Sequence, residues 1–481
     1  MEVILQGIES IIGKLSDFIW LYFVIASLVI VGLYFSFKTK FVQFRYFREM
    51  LRIIGEPSIV TEDGKKGISS FQAFCISAAS RVGTGNIAGV ATAVAAGGPG
   101  AIFWMWLIAS LGGATSLIES TLAQIYKVKD KDGFRGGPAY YMEKGLKKRW
   151  MGIVFAIIIT FCFGFIFNSV QSNTISIAFK EAFGIDRSLM GIVLAILTAV
   201  IIFGGLKRIV TVSQIVVPIM AIIYLTVALI VVFMNITETP RIFTMIVKGA
   251  FGLDQVIGGT FGAAVMMGIK RGLFSNEAGM GSAPNAAATA SVSHPVKQGL
   301  IQTLGVFFDT IIICSATAFI ILLYSDFSTS GLTGIELTQA ALSAHVGSWA
   351  PTFVAVAIFL FAFTSVIGNY YYGETNLEFI KNSPIALFIY RIIVVGMVFF
   401  GALVKVEIVW TLADLFMGIM ALINLVAIAM LGKIAFAALK DYKKQRKEGK
   451  DPVFYADTIP GLDGIECWET KEKALKDKTQ L

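Results

Sequence analysis

The stretch FQAFCISAASRVGTGNIAGVATAVAAGG, residues 71–98, decides the fold of this 481-residue chain. It is long and apolar enough to cross a membrane, but its middle, from Arg81 to Asn86, is polar, glycine-rich and poor in helix formers. Irregular backbone at membrane depth is tolerated only where it is buried in protein or lines a cavity. The N–H groups of such a break, and the half-helix that starts there, suit an anion such as a carboxylate. We therefore predict a broken helix with a binding site at its break.

The composition shows that this stretch belongs to a membrane protein. Hydrophobic residues make up 56% of the chain and charged residues only 15%, against about 25% in a soluble domain. A soluble fold of this length would lack the polar side chains to cover its surface, which excludes a soluble enzyme, a disordered chain and a nucleic-acid-binding domain. We predict an all-α polytopic membrane protein solvated by the lipid bilayer, with no nucleic acid as partner.

A second broken stretch, IGGTFGAAVMMGIKRGLFSNEAGMGSAP at residues 257–284, resembles the first in being short, glycine-rich and interrupted by polar residues. The two stretches begin two blocks of five spans, 2–6 and 7–11, and because five is odd the second block enters the membrane in the opposite orientation. Paired broken helices at matching places of an inverted 5+5 repeat predict a secondary transporter with its site near the midplane. The eleven predicted spans cover residues 17–37, 71–97, 101–126, 151–179, 188–205, 209–234, 255–270, 298–324, 350–373, 384–404 and 407–432.

The lysines and arginines predict the orientation of these spans. Of the 40 in the chain, 32 fall in loops on one side and in the tail, six fall in the alternate loops, and two fall inside spans. The positive-inside rule then places the N-terminus outside and the C-terminus in the cytosol of a cell-membrane protein. The predicted divisions are an N-terminal span and loop (1–70), two repeats (71–234 and 235–440) and a partly disordered cytosolic tail (441–481).

The first break admits other interpretations. GTGNIAG, residues 83–89, resembles a glycine-rich dinucleotide turn, but it lies in an apolar stretch without a strand before it. The spacing of Gly85 and Gly89 also suits close helix packing, although packing leaves Arg81, Thr84 and Asn86 unexplained. A channel would need a continuous polar pore, and an enzyme would need a convergent catalytic set or metal ligands, so we expect neither, and no cofactor.

Six motifs resemble the alanine or glycine:cation symporter family, which belongs to the amino acid–polyamine–organocation superfamily and has the LeuT-like fold. The resemblance implies import of a small neutral amino acid such as alanine or glycine, coupled to sodium or to protons. It extends from about residue 41 to the eleventh span and leaves glutamine, serine or a D-amino acid as alternative substrates. The motifs are VGTGNIAGVATA (82–93), GGPGAIFWMW (97–106), GGPAYYMEKGL (136–146), VQSNTI (170–175), KRGLFSNEAGMGSAP (270–284) and YYYGE (370–374).

By this resemblance the substrate carboxylate binds at the first break, through N–H groups of Gly83, Thr84 and Gly85 and the Thr84 hydroxyl, with Asn86 beside them. The side-chain oxygen of Gln171 is then placed to accept from the ammonium group, although a plain interhelical hydrogen bond is the competing interpretation.

The family pattern also assigns roles in the second broken span. Unwound carbonyls near Gly268 are expected to help bind the ammonium group, and Phe274 is expected to cover the pocket.

Sodium requires oxygen ligands, and the resemblance places them in two spans. Thr364 and Ser365 lie at the depth where LeuT-like folds have a sodium ligand pair, and backbone carbonyls near Arg81 would complete the shell. Helical serine and threonine often bond only to their own backbone, which is the alternative.

Ionisable residues at membrane depth are functional candidates by default. Five lie there, and we expect structural or gating ion pairs for them, with Asp309 paired to Arg81 or a lysine. These five are Arg81, Glu119, Asp309, Arg391 and Asp414.

Three further charged residues, Lys270, Arg271 and Glu277, are predicted to lie on the cytosolic side as a gate network.

One position departs from the family pattern. Relatives often carry a tryptophan just before YYYGE, where this chain has Asn369. A smaller amide there would enlarge the pocket or add a hydrogen-bonding group, unless Asn369 only supports helix packing.

Overall fold

The computed structural model describes residues 2–58, 66–130, 133–252 and 261–479, and these parts of the chain are mainly helical. A short antiparallel hairpin joins β1 (Val128–Asp130) to β2 (Gly133–Arg135). The helices are α1 (Glu2–Ile19), α2 (Ile25–Thr39), α3 (Val42–Arg45), α4 (Phe47–Ile54), α5 (Ser70–Arg81), α6 (Val90–Gly97), α7 (Gly100–Ile125), α8 (Pro138–Lys144), α9 (Arg149–Phe161), α10 (Asn168–Phe183), α11 (Arg187–Ile202), α12 (Gly205–Met234), α13 (Thr239–Ala250), α14 (Phe261–Asn276), α15 (Ala283–Ala287), α16 (Pro295–Val306), α17 (Ser315–Leu322), α18 (Gly334–Val346), α19 (Ala350–Ile380), α20 (Pro384–Leu403), α21 (Val406–Lys447) and α22 (Lys471–Thr479).

Wider π-helical turns connect several of these helices without a loop. They lie between α1 and α2, before α6, between α9 and α10, and between α16 and α17. Such turns are frequent at functional sites, because each extra residue changes which face of the helix the following side chains occupy. Their bounds are Trp20–Val24, Gly85–Gly89, Cys162–Phe167 and Phe307–Cys314.

The first broken span is formed by α5 and α6. Helix α5 begins at a capping box, in which Ser69 and Gln72 satisfy each other's backbone N–H groups. The helical path stops after Arg81, because Val82 takes a non-helical conformation with φ −82° and ψ 85°. It resumes as the π-helical turn Gly85–Gly89, so the predicted break is confirmed as a feature of the backbone.

The second broken span is formed by α14 and α15. Three residues between them, Glu277, Gly279 and Gly281, have left-handed φ values of 57°, 87° and 85°. Glycine adopts this conformation without a steric cost, whereas Glu277 does so at some cost and is held by its partners. The break therefore lies at residues 277–282. The predicted start of this span falls outside the described residues.

The distribution of apolar surface agrees with a membrane environment. Among the described residues, eight helices are long and apolar enough to cross a bilayer, and two shorter apolar helices accompany them. The span through α7 is 72% buried, whereas those of α12 and α20 are 33% and 28% buried and present isoleucine, leucine and phenylalanine outward. The protein is thus a multi-pass membrane protein in which α7 is central and α12 and α20 are peripheral.

The prediction of a partly disordered tail is wrong for residues 448–470. This segment packs back onto the end of the helical bundle, and Phe454 within it is only 3% exposed. Its charges and prolines suggested disorder, but its few aromatic and aliphatic side chains find apolar partners on the helices.

Candidate functional site

Two amide side chains accept hydrogen bonds from the backbone of the first break. The Gly83 N–H donates to Asn86 Oδ1 at 2.9 Å, and the Thr84 N–H donates to Gln171 Oε1 at 3.0 Å. The Thr84 hydroxyl is buried and has no hydrogen-bond partner within the described part of the chain. Both N–H groups are thus satisfied by amide oxygens, and a carboxylate that displaced those oxygens would find two N–H donors and the Thr84 hydroxyl.

Gly83 and Gly85 are enclosed from different sides. A Cβ atom on Gly83 would collide with the Ser365 hydroxyl and lie 2.9 Å from Gln171 Oε1. A Cβ atom on Gly85 would lie 3.0 Å from Phe274 Cδ1 and 3.1 Å from the Cα atom of Ser275. The two glycines thus let α10, α14 and α19 approach the broken backbone closely.

Phe274 forms an aromatic wall beside the break. Its ring centroid lies 4.6 Å from that of Phe167 and 4.7 Å from that of Trp410. The ring is 4% exposed and lies against Gly85, and its role as a cover for the pocket stays a prediction.

A buried carboxylate lies on the other side of Asn86. The Asn86 amide donates to Asp309 Oδ1 at 2.6 Å, while the hydroxyls of Ser275 and Thr310 each donate to Asp309 Oδ2 at 2.8 Å. The Cys314 thiol also contacts Asn86 and Ser275. This cluster joins both broken spans to the π-helical turn after α16, and it offers one negative charge with several neutral oxygen atoms. Such a set of ligands suits a hard monovalent cation.

Thr364 and Ser365 lie on α19 next to the first break. Both hydroxyls bond back to their own helix, Thr364 to the carbonyls of Leu360 and Phe361 at 2.9 Å and Ser365 to that of Phe361 at 3.1 Å. Ser365 lies against the break, since a Cβ atom on Gly83 would collide with its hydroxyl. The pair therefore adopts the backbone-bonded arrangement here, with Ser365 the better placed of the two.

The Arg81 side chain turns away from the break. Its Nη1 donates to the carbonyl of Gln302 on α16 at 3.1 Å, and it is 2% exposed. Arg81 interacts electrostatically with the carboxylates of Glu119, Glu277 and Asp309. A guanidinium group repels sodium, so only the Arg81 backbone carbonyl could serve as a ligand.

Asp309 has no salt bridge within the described part of the chain: its hydrogen-bond partners are neutral, and the predicted partner Arg81 acts on it only at longer range. Glu119 likewise accepts from the Gly279 N–H at 3.0 Å and from the Asn424 amide at 2.8 Å. Arg391, in contrast, does form the expected ion pair, with Glu374 at 3.4 Å.

Glu277 connects the two broken spans. It accepts from the hydroxyl of Ser80, at the end of α5, and from that of Ser282, each at 2.6 Å. The Ser80 hydroxyl also lies 2.7 Å from Asn369 Oδ1. Asn369 is 1% exposed, and its Nδ2 has no hydrogen-bond partner among the residues that the structure describes. Asn369 therefore lies against the end of the first half-helix, near both breaks.

A model of the sodium:alanine symporter family matches residues 5–456. The chain belongs to this family. The symporter is 62% identical over 465 residues to the amino-acid carrier protein AlsT of Bacillus subtilis, covering 97% of this chain and 98% of that protein. It is 57% identical over 467 residues to the probable sodium/glutamine symporter GlnT of the same organism, with 97% of each chain covered.

The more distant relatives are also named as transporters. The sodium/alanine symporter AgcS of Methanococcus maripaludis is 37% identical over 447 residues, covering 91% of this chain and 98% of that protein. Among solved structures, a Na⁺-coupled sialic acid symporter superposes with a TM-score of 0.51 at 13% identity, over 91% of this chain and 93% of that one. A manganese transporter of Eremococcus coleocola also has a TM-score of 0.51 at 12% identity, covering 85% and 83%. These two structures share the fold.

Lys270 and Arg271 of this symporter lie apart from Glu277. Lys270 binds Asp17 of α1 at 2.8 Å, and Arg271 binds Asp414 of α21 at 2.5 Å. Both partners lie near helix ends that the charge distribution predicts to be outside. Lys270 and Arg271 therefore do not form one network with Glu277, which lies at the break after Asn276 and bonds Ser80 and Ser282.

The prediction of unwound carbonyls near Gly268 is also wrong. Gly268 lies inside α14, and a Cβ atom there would collide with the Ala101 carbonyl of α7. Glycine at this position allows α14 and α7 to pack closely. A sequence does not distinguish a glycine required for helix packing from one that interrupts a helix.

Ser275, Thr310 and Ser80 were not predicted as site residues. Ser275 follows Phe274 in a motif that was recognised, and Thr310 follows Asp309, so proximity in sequence was the available signal. The sequence does not reveal the π-helical turn Phe307–Cys314. This turn brings Asp309, Thr310 and Cys314 into one cluster.

Proposed function

We propose that this symporter imports a small neutral amino acid, alanine or glycine, together with sodium by alternating access. The observation that carries the proposal is the meeting of two broken helices at Gly83–Gly85 and Phe274–Ser275, where each glycine is tightly enclosed. A site so closely walled favours a substrate with a small side chain over a large one. The amino-acid carrier AlsT and the sodium/alanine symporter AgcS support the same substrate class.

The proposal includes a LeuT-like arrangement of eleven spans, with the N-terminus outside and the C-terminus in the cytosol of the cell membrane. The eight long apolar helices, the two shorter ones and α14 supply that number. The fold shared with a Na⁺-coupled symporter supports the arrangement, and the distribution of lysine and arginine supports the orientation.

Sodium is proposed to bind in the Asp309 cluster, with Ser365 and the carbonyls near Arg81 as a second location. A carboxylate at membrane depth whose hydrogen bonds come from neutral donors is stabilised by a bound cation. A carboxylate of the substrate beside it would add further negative charge, so amino acid and sodium would favour each other's binding.

A second candidate substrate is glutamine. The buried and unpartnered Nδ2 of Asn369 could bind a polar side chain, and the probable sodium/glutamine symporter GlnT is 57% identical. Asn369 contacts Ser80, at the end of α5, so a substrate with a longer polar side chain is the one that would use it.

Competition uptake distinguishes the two substrates. Cells that express the protein take up radiolabelled alanine while unlabelled glycine, serine or glutamine competes. We expect glycine to compete strongly and glutamine weakly, and we expect Asn369→Ala to leave this order unchanged. Strong competition by glutamine that Asn369→Ala abolishes would instead show glutamine to be the substrate.

A further inference from the structure

The chain does not leave the helical bundle after α21. Residues 448–470, here named the tail strap, cross its end. The Phe454 N–H donates to the Ser293 carbonyl at 2.8 Å, and the Ser293 hydroxyl donates to the Pro452 carbonyl at 2.8 Å. The Phe454 ring is buried between His294 and Trp468, with centroid distances of 5.4 and 5.2 Å. This is the first anchor of the strap.

The second anchor is Trp468. Its indole N–H donates to the Gln124 carbonyl, at the end of α7, at 2.9 Å. Its ring faces the ammonium group of Lys127 at 5.0 Å, and that ammonium donates to the Ala290 carbonyl at 2.9 Å. Phe454 therefore contacts residues 288–294, the segment that follows α15, directly, and Trp468 is linked to that segment through Lys127.

Residues 288–294 also form hydrogen bonds to the residues that precede α5, the start of the first broken span. The Ser291 N–H donates to the Ile68 carbonyl at 2.9 Å, and Ile68 pairs with Ala290 in a β-bridge just before α5. The ends of both broken spans are thus joined on the face that carries the strap. In the proposed orientation this face is cytosolic, and α5 is the cytosolic half of the first broken span.

We propose that the tail strap is an intramolecular restraint on cytosolic opening. This inference rests on the proposed function, since it needs an alternating-access cycle with this orientation. For the substrate to reach the cytosol, α5 and residues 288–294 must separate, and the strap bonded to the latter opposes that movement. The aromatic anchors carry the restraint, because their large rings pack against His294 and Lys127 at the end of the bundle.

The native Cys75 provides the reporter for a test. It lies on α5 and is fully buried, so it reacts with a thiol reagent only when that region opens. The full-length protein, in a Cys467→Ser background and in lipid nanodiscs, is labelled with N-ethylmaleimide, and modification of Cys75 is followed by mass spectrometry. Phe454→Ala and Trp468→Ala remove the anchors, and Val453→Ala, at a neighbouring residue that is 38% exposed, is the matched control.

We expect each anchor variant to raise the labelling rate of Cys75 about tenfold over Val453→Ala, because the loss of a buried aromatic contact shifts a two-state equilibrium. Equal rates in the anchor variants and the control would overturn the restraint. Trp468→Phe keeps an aromatic ring but removes the N–H donor. This variant tests the second anchor if Trp468→Ala does not fold. Its labelling should fall between wild type and Trp468→Ala, and a rate equal to wild type counts against the second anchor.

The result is independent of the substrate. Faster labelling in the anchor variants, together with a wild-type protein that does not take up alanine, would support the strap and reject the proposed substrate. Alanine uptake by wild type, together with labelling rates that the anchor variants leave unchanged, would support the substrate and reject the strap.

Discussion

Gly85 is the residue on which the geometry of the site depends most directly. A side chain there would meet the Phe274 ring at 3.0 Å and the backbone of Ser275 at 3.1 Å, and the backbone cannot give way. We expect Gly85→Val to abolish alanine uptake, because the two broken spans could no longer meet. The control is Gly396→Val on α20, where a Cβ atom has nothing within 4 Å. Uptake and membrane abundance are measured for both variants. Normal transport by Gly85→Val would show that the first break is not part of the binding site.

Asp309 provides the residue-scale test of sodium binding. Asparagine has almost the same shape but no charge, so Asp309→Asn should weaken sodium activation of uptake far more than it weakens alanine recognition. A lost interaction with a charged group costs about 1.5–3 kcal/mol, which corresponds to about a tenfold to hundredfold higher half-saturating sodium concentration. An unchanged sodium activation curve would contradict the assignment of Asp309 as a sodium ligand.

The sequence indicates the two breaks more clearly than the side chains around them. Gly83 and Thr84 stand out because polar and glycine residues inside an apolar span have few explanations, whereas Phe274 is implied only by the resemblance to the family. Asp309 was expected to pair with a cation, since a sequence shows that a carboxylate is buried but not which neutral donors face it. Asn86 and Ser275 satisfy it from two other spans, 223 and 34 residues away in sequence.

At the scale of elements, the joint between α7 and the tail strap contains a buried lysine. Lys127 donates to Gln124 Oε1 and to the Ala290 carbonyl, and burial lowers its pKa to about 7. An unfolded lysine keeps a pKa of about 10.4, so between these values the folded protein binds fewer protons than the unfolded chain. Folding stability attributable to Lys127 therefore rises with pH across this interval.

Lys127→Met removes this dependence. We expect the melting temperature of wild type relative to Lys127→Met to increase from about pH 6 to about pH 9. Lys148→Met, at an exposed position, is the control and should show no such trend. A constant difference between wild type and Lys127→Met across that interval would show that Lys127 titrates as an exposed lysine does.

The elements also show where sequence patterns were insufficient. Both breaks were predicted, but the second lies at residues 277–282, after six more helical residues than the predicted span end allowed. The charged composition of the tail indicates disorder, whereas Phe454 and Trp468, together with Ile459, Leu462 and Ile465, pack onto the helical bundle. Local composition does not report such docking, since the apolar partners lie on distant helices.

At the scale of the whole molecule, the two broken spans meet at one place, where the enclosed glycines and the buried Asp309 lie next to each other. We propose that the half-helices at the first break bind a small zwitterion and that the Asp309 carboxylate beside them binds the cation. In this proposal each ligand increases the affinity for the other, so a sodium gradient drives the amino acid uphill.

Uptake into proteoliposomes tests this account most directly. The purified protein is reconstituted, and radiolabelled alanine is followed after an inward sodium gradient is imposed, with a potassium gradient of equal size as the control. The account predicts that alanine accumulates above its external concentration only with sodium, and that the accumulated alanine leaves when a sodium ionophore collapses the gradient. Equal accumulation in potassium, or equilibration without accumulation, would contradict it.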